Sequence, residues 1–256
     1  MRTLTLDKNN IYNGNLILVN KTYPIANANT EYKNTLVPVD TRHSDILLEM
    51  RTATMLSRLM SELDCSNSIV PVSGYRSLHE QEQIYTDSMK ENGKDFTVKY
   101  VAHPDRSEHQ TGLAIDLAEK KKDINFIRPH FPYTGICQQF RQKAVQYGFV
   151  ERYPKGKEEI TGIAHEPWHF RYVGYPHSKI MQNNGLTLEE YIEFIKGYPY
   201  QGEHLMLNNA KHSIEIFYVN ASDPSQTMVA LPEDIPYQIS GNNVDGFIIT
   251  LWRKRE

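Results

Sequence analysis

Residues 165–172 constrain the fold more than any other stretch of the chain. Their first five residues, from His165 to His169, match the H-E-x-x-H pattern of a helix in which two histidines one turn apart bind zinc. Pro167 argues against that helix, because a proline inside a helix removes a backbone donor and costs about 3 kcal/mol. It also favours an extended backbone at the residue before it, Glu166. The proline therefore directs the interpretation of this stretch towards a strand.

The residues that follow Pro167 have the period of a strand. Aromatic side chains occupy alternate positions: Trp168, Phe170 and Tyr172. This spacing is typical of a β-strand with two different faces. In such a strand His165 and His169 would lie about 13 Å apart, which is too far for both to bind one ion without a bend. We therefore exclude His165 and keep His169 as a candidate metal ligand.

A second segment, residues 107–116, supplies the partners that His169 needs. It contains His109 and, seven residues later, Asp116. Gly112 and the apolar residues after it predict a loop that enters a strand, with Asp116 facing a cleft. Two imidazoles and one carboxylate form a typical catalytic zinc site, which leaves a fourth position for water. Glu166, three residues before His169, is placed to serve as the general base.

Each of these residues alone also has an ordinary structural interpretation. His109 and Asp116 could form hydrogen bonds near a turn, and His169 could be a satisfied histidine of a sheet. The combination with Glu166 makes the zinc site the preferred hypothesis. Cys65 and Cys137 have no neighbouring Cys or His at the spacing of a zinc site, so we expect both to be buried free thiols.

Composition excludes several other classes of protein. The chain has 256 residues, 39% of them hydrophobic, and a formal net charge of −3, so it predicts an ordinary globular protein. Its lysines and arginines are scattered, which argues against a nucleic-acid partner. No stretch approaches the roughly 18 apolar residues of a membrane span, and the first ten residues do not resemble a signal peptide. We therefore expect no membrane association and a cytoplasmic location.

Apolar periodicity and capping patterns predict helices and strands in alternation. Four helices are predicted. The first has Ser44 as its N-cap and ends near Leu63, and the second runs from Ser77, where it has a capping box, to Gly93. The third runs from about Cys137 to Tyr147 and the fourth from Thr187 to Gly197. The run Ile69–Val72 predicts a strand, and its proline indicates a sheet edge or a bulge. Arg76 would then lie between that strand and the next helix.

Beyond about residue 199 the sequence loses helical periodicity. The β-rich runs there are Ser213–Val219, Gln226–Leu231 and Gly246–Trp252. We therefore predict two parts: residues 1–199 as the domain that carries the zinc site, and residues 200–256 as a small β-rich extension for packing or oligomerisation, with a wall of the substrate cleft as the alternative. The predicted fold class is α+β, with a central, mostly antiparallel sheet flanked by helices and a zinc cleft on the sheet.

The motifs resemble those of a known family. Ser107-x-His109-x-x-Gly112-x-Ala114-x-Asp116, followed by Glu166-x-Trp168-His169, is similar to the motif pair of the LAS-class zinc D-Ala-D-Ala peptidases. These include the VanX dipeptidases and VanY carboxypeptidases, and the chain looks most like the bifunctional VanXY-type proteins of glycopeptide resistance. The similarity extends from about residue 73 to residue 197.

The resemblance implies a function and roles for individual residues. It implies zinc-dependent hydrolysis of D-Ala-D-Ala, both as the free dipeptide and at the end of the UDP-MurNAc-pentapeptide precursor, in the context of vancomycin resistance. The implied roles are zinc ligation by His109, Asp116 and His169, general base catalysis by Glu166, a cation near the scissile carbonyl at Arg76, and substrate binding by Gln81 and Ser107. The expected cofactor is one zinc ion, and the expected partners are small peptides.

Several alternatives stay open at this point. They are a carboxypeptidase without dipeptidase activity, a peptidoglycan endopeptidase, an H-E-x-x-H metalloprotease and a non-catalytic zinc module. The sequence does not determine the ratio of dipeptidase to carboxypeptidase activity or the role of residues 200–256. We expect D-Ala-D-Ser and D-Ala-D-lactate termini to be cut poorly. The oligomeric state is also open, with a homodimer as one option.

Overall fold

The computed structural model describes residues 1–26, 35–208, 212–221 and 226–254. The chain divides into two compact units. The larger unit comprises Val19–Thr187, and the smaller unit combines Met1–Leu18 with Leu188–Glu256. The N-terminal residues and the last helix belong to the smaller unit by compactness, and the predicted domain division at residue 199 stays a prediction.

Strands and helices are interspersed along the described chain as far as Lys196, and only strands follow. The strands are β1 Arg2–Asp7, β2 Leu36–Pro38, β3 Leu47–Glu49, β4 Ile69–Ser73, β5 Ala114–Glu119, β6 Phe149–Tyr153, β7 Glu166–Tyr172, β8 Leu205–Asn208, β9 His212–Asn220, β10 Gln226–Leu231, β11 Tyr237–Gly241 and β12 Gly246–Lys254. The α-helices are α1 Met50–Glu62, α2 Leu78–Glu91, α3 Lys94–Tyr100, α4 Gly135–Ala144, α5 Glu158–Thr161, α6 His177–Asn184 and α7 Leu188–Lys196.

A four-stranded sheet organises the larger unit. Its strand order is β4-β5-β7-β6, and every neighbouring pair is antiparallel. Phe170 of β7 is fully buried and packs edge-to-face against Phe131 and against Phe140 of α4. The alternation of a strand places Phe170 and its neighbour His169 on opposite faces. One face of β7 thus packs into the apolar core while the other carries polar residues.

The edge strand β4 behaves as its proline predicts. β4 lies at one end of the strand order, and its pairing with β5 shifts between Pro71 and Ser73. Proline donates no hydrogen bond to a sheet, so an edge position or a bulge accommodates it. Both predicted features of this strand are therefore confirmed.

The helix starts are only partly as predicted. Ser77 and Glu80 form the predicted capping box at the start of α2. The first long helix, in contrast, begins at Met50 and not at Ser44, because the residues just before it pair as β3 with β2. Its N-cap is Glu49, whose side chain accepts hydrogen bonds from the first-turn backbone. The prediction of Ser44 as N-cap is wrong.

The described residues of the smaller unit form two sheets, α7 and a 3-10 helix at Lys8–Tyr12. β8, β9, β11 and β12 form one sheet in the order β11-β12-β9-β8, and β1 pairs antiparallel with β10. Buried apolar residues from these strands form its core: Leu6, Ile11, Phe217, Val219, Val229, Leu231, Phe247, Ile249 and Leu251. The extreme N-terminus thus supplies a strand to the β-rich C-terminal region, which explains why the unit is discontinuous in sequence.

The predicted α+β class with a mostly antiparallel central sheet is confirmed. Cys65 and Cys137 are buried and free, as expected, and burial raises the pKa of each thiol to about 11. Among the described residues, no helix is both long enough and apolar enough to cross a membrane.

Candidate metal centre

His109, Asp116 and His169 converge on one point of the larger unit. Each offers one ligand atom, and these atoms lie within 4.8 Å of one another. Asp116 of β5 pairs directly with His169 of β7, so the sheet places the two side chains next to each other. All three residues are buried. The structure therefore brings together the three ligands predicted from the sequence.

A tight turn brings His109 to the same point. Residues Glu108–Thr111 form a 3-10 helix that ends at Gly112, whose φ is +72°. A Cβ atom at Gly112 would lie 2.9 Å from the backbone nitrogen of Glu49. Only glycine fits both the left-handed backbone and this close approach. The turn then leads straight into β5 and Asp116.

One ring nitrogen of each histidine faces Asp116, and the other faces a hydrogen-bond acceptor. His109 Nε2 lies 3.2 Å from Asp116 Oδ2, while His109 Nδ1 lies 2.7 Å from the carbonyl oxygen of Gly74. His169 Nδ1 lies 2.9 Å from Asp116 Oδ1, while His169 Nε2 lies 3.4 Å from Glu108 Oε2. This arrangement is typical of metal-binding histidines, which donate their second ring N–H to an acceptor.

The charges of the cluster shift the pKa values of its members. Burial alone would raise the pKa of Asp116, but the two imidazoles outweigh it and the pKa is lowered. Burial lowers the pKa of His109, and the Arg76 cation adds to this effect. Burial alone would lower the pKa of His169 as well, but its contacts with Asp116 and Glu108 raise it to about 9.

Arg76 contacts the cluster from the junction between β4 and α2. Its Nη2 lies 3.1 Å from Asp116 Oδ2, and its Nε donates to Ser73 Oγ. The side chain of Gln81 is buried and lies behind Arg76: its Oε1 is 3.5 Å from Arg76 Nη1, and its Nε2 donates to the carbonyl of Ala102. Gln81 thus reaches the centre through Arg76.

Glu166 lies at the start of β7 beside a cavity of about 290 Å³. Its Oε2 is 3.9 Å from His169 Nδ1, and burial raises the pKa of its carboxyl to about 8. The predicted site residues that line this cavity are Arg76, Ser107, His109, Asp116, Glu166 and His169. The cavity therefore places an acid, a cation and the candidate metal ligands around one space.

His165 lies elsewhere, as the strand interpretation requires. Its Nε2 is 2.7 Å from the hydroxyl of Tyr133 and 3.5 Å from Glu151 Oε1, and its ring stacks on that of Tyr133. Residues Glu166–Tyr172 form a strand and not a helix. The alternative of an H-E-x-x-H site is therefore contradicted.

Sequence analysis missed Glu108, which lies behind His169. Arg152 Nε and Arg171 Nη1 lie 2.8 Å and 2.7 Å from Glu108 Oε1, and none of these three side chains is exposed. Burial alone would raise the pKa of Glu108, but the two arginine charges outweigh it and the pKa is lowered. The sequence contained a signal for such a residue. Arg171 lies two residues after His169, on the same face of a mostly buried strand, and a buried arginine requires an acidic partner.

Comparison with known proteins gives the family. Residues 45–175 match the family model described as VanY, D-alanyl-D-alanine carboxypeptidase. The chain belongs to the VanY family. This VanY-family chain is also 42% identical, over 70% of its own length and 94% of the relative's, to the bifunctional D-Ala-D-Ala dipeptidase and D-Ala-D-Ala carboxypeptidase VanXYC of Enterococcus gallinarum. The resemblance to VanXY-type proteins that the motifs indicated is confirmed.

Solved structures of relatives agree with this assignment. The VanY-family chain superposes with a TM-score of 0.95 and 57% identity on the vancomycin resistance D,D-dipeptidase VanXYg, which was solved with a D-Ala-D-Ala phosphinate analogue, and the match covers 98% of this chain and 99% of that one. A VanY D,D-pentapeptidase from a VanB-type resistance cassette, solved with Zn(II), is 29% identical with a TM-score of 0.56, over 70% of this chain and 98% of that one.

Proposed function

We propose that this protein is a zinc-dependent peptidase that hydrolyses the D-alanyl-D-alanine bond. The observation that carries the proposal is the convergence of His109, Asp116 and His169 within 4.8 Å, beside a cavity that Glu166 also lines. The dipeptidase and carboxypeptidase activities printed for VanXYC, and the D-Ala-D-Ala analogue bound to VanXYg, support this substrate.

The donor set fits zinc. Two imidazole nitrogens and a carboxylate are ligands that zinc prefers in catalytic sites. Zinc is also the metal of the solved VanY relative. Bound here, zinc would supply a Lewis acid that polarises the scissile carbonyl and acidifies water. His109, Asp116 and His169 would hold it, and the contacts of the two histidines with the Gly74 carbonyl and with Glu108 orient their ligand nitrogens towards Asp116.

Glu166 performs the proton transfers in the proposed reaction. Beside a bound cation the carboxyl would ionise, and the carboxylate would take a proton from the attacking water as the water oxygen bonds to the carbonyl carbon. As the carbon–nitrogen bond breaks, Glu166 delivers that proton to the leaving amine of the terminal D-alanine. Its position 3.9 Å from the ligand His169 would keep the carboxyl within reach of both the water and the leaving group.

Arg76 stabilises the negative charge that develops on the carbonyl oxygen. Its guanidinium lines the cavity and is held by Ser73 and Asp116, so the cation is oriented before substrate binds. Ser107 lines the same cavity and is assigned to substrate binding. Gln81 is assigned an indirect part in substrate binding, since its side chain contacts Arg76.

We further assign two physiological substrates to this site, the free D-Ala-D-Ala dipeptide and the UDP-MurNAc-pentapeptide precursor, with a cytoplasmic location and a role in vancomycin resistance. The bifunctional relative VanXYC supports both activities. The two tasks place opposite demands on the cavity, because a dipeptidase holds a free ammonium where a carboxypeptidase must admit a peptide chain. For residues 200–256 we keep the assignment as a packing or oligomerisation module.

Release of D-alanine tests this function. The purified protein is incubated with D-Ala-D-Ala and, separately, with UDP-MurNAc-pentapeptide, each with and without a chelator and after zinc is restored. We expect release from both substrates, loss of release with chelator and recovery with zinc. Glu166→Gln should retain zinc and lose at least about 100-fold in turnover, in line with the usual contribution of a general base. Retention of full activity in that variant would refute its role.

A further inference from the structure

Glu108 has the surroundings of a residue that orients a metal ligand. Its side chain has no exposed surface, and one of its carboxylate oxygens, Oε1, receives both Arg152 Nε and Arg171 Nη1. The other oxygen, Oε2, is the atom that faces His169 Nε2, at 3.4 Å. The two oxygens of one buried carboxylate are thus divided between two arginines and one imidazole.

The two arginines determine what Glu108 can offer to His169. Because two guanidinium N–H groups point at Oε1, this atom must be a hydrogen-bond acceptor, and the two charged contacts hold the plane of the carboxyl in place. In a carboxylate paired in this way with two guanidinium groups, Oε2 is an acceptor as well, and it is the oxygen that faces His169. His169 can satisfy it only by carrying a proton on Nε2.

We infer that Glu108 is a positioning residue of the metal centre: through its fixed Oε2 it holds His169 in the form protonated on Nε2, which leaves the Nδ1 lone pair for the metal. His169 Nδ1 is the ring nitrogen next to Asp116, the side on which the three ligand atoms meet. A neutral imidazole has one N–H and one lone pair, so fixing the proton on one nitrogen fixes the ligand atom. The inference rests on the proposed metal site.

The substitution Glu108→Gln tests this inference. Glutamine has the same shape, and the two arginines would keep its single oxygen, so its NH2 group would point at His169 Nε2. That nitrogen would then have to accept, which moves the imidazole proton to Nδ1 and blocks the ligand atom. We expect the affinity for zinc to fall about 10–100-fold, the usual effect of removing such a partner.

Glu215 provides a matched control. It also lies between an arginine and a histidine, accepting from Arg253 and lying 2.7 Å from His204 Nδ1, but it belongs to the smaller unit. Metal-free wild type, Glu108→Gln and Glu215→Gln are titrated with zinc against a chromophoric chelator. Wild type and Glu215→Gln should bind one zinc ion with equal affinity. Equal affinity in Glu108→Gln would overturn the inference, whereas failure of wild type to bind zinc would overturn the proposed metal site itself.

A spectroscopic measurement on the wild type separates orientation from simple structural support and does not depend on the variant's folding. In zinc-loaded protein, nitrogen-15 spectra report which ring nitrogen carries the proton, and His169 can be assigned through its contact with Tyr153, whose ring centroid is 4.8 Å away. We expect a proton on Nε2 and metal on Nδ1. The reverse assignment would overturn the inference, even if the variant were to bind zinc weakly because it had lost its fold.

Discussion

His177 predicts how the stability of the larger unit depends on pH. It is the first residue of α6 and is 2% exposed, and burial lowers its pKa from 6.5 to about 3. The folded state therefore keeps the imidazole neutral at pH values where the unfolded chain binds a proton. Above pH 6.5, His177 leaves the free energy of unfolding unchanged. As the pH falls from 6.5 towards 3, the free energy of unfolding decreases progressively, because the unfolded chain binds a proton that the folded state does not.

The size of the effect follows from these two pKa values. Between pH 7.5 and pH 5.0 the linkage relation gives a loss of about 2 kcal/mol from His177 alone. The result barely depends on the folded-state pKa, because pH 5.0 already lies well above it. Other groups also titrate in this interval, so the test is a difference between wild type and His177→Gln, which stays neutral throughout.

Urea unfolding of the metal-free protein at the two pH values measures this difference. The chain has two tryptophans, Trp168 in the larger unit and Trp252 in the smaller, so a Trp252→Phe background makes fluorescence report the larger unit alone. We expect wild type to lose about 2 kcal/mol more than His177→Gln. A His79→Gln control, which replaces an exposed histidine, should behave as wild type. Equal losses in wild type and His177→Gln would refute the claim that burial keeps this imidazole neutral.

Three further predictions follow from the site and the core. Asp116→Ala should lose the zinc ion while His165→Ala keeps it, as measured by metal content after gel filtration; zinc loss in the second variant would restore the H-E-x-x-H alternative. Gly112→Ala should destabilise the larger unit by about 2 kcal/mol in urea, because its φ of +72° and the 2.9 Å approach to Glu49 both oppose a Cβ atom. Phe170→Ala should cost about 3–5 kcal/mol in the same assay, since it removes a fully buried ring; a cost under 1 kcal/mol would contradict its place in the core.

Local rules predicted the elements that carry the metal centre. Pro167 and the alternation after it were sufficient to assign β7, because a mid-helix proline is costly whatever the tertiary context. The capping box at Ser77 was sufficient to start α2, since it depends only on residues three positions apart. Once β7 was assigned, His165 could be excluded, and residues 107–116 supplied His109 and Asp116 as the other candidate ligands.

Features that depend on long-range pairing were not predicted. Ser44 has a good N-cap side chain, but strand pairing between β2 and β3 uses the residues before Met50 and moves the helix start. The pairing of β1 with β10 joins residues more than 200 positions apart, and nothing in the local pattern of either strand specifies it. Tertiary contacts override local preference in both cases.

Glu108 was overlooked for a different reason. A glutamate next to a candidate histidine ligand looks like an exposed loop residue, and its burial becomes apparent only when Arg152 and Arg171 are found beside it. Arginine on a buried strand face is rare without an acidic partner. A search of the sequence for such a partner could therefore have raised Glu108 as a candidate.

The direct pairing of Asp116 with His169 restricts which changes of chain length the protein can accept. Inserting or deleting one residue within β5 ahead of Asp116 would turn its carboxylate to the opposite side of the sheet, because side chains alternate with every residue. The same holds for β7 ahead of His169. Length variation among relatives should therefore concentrate in the connections that follow β5 and flank β7, where an added residue leaves the pairing untouched, and not in the turn before β5, which carries His109.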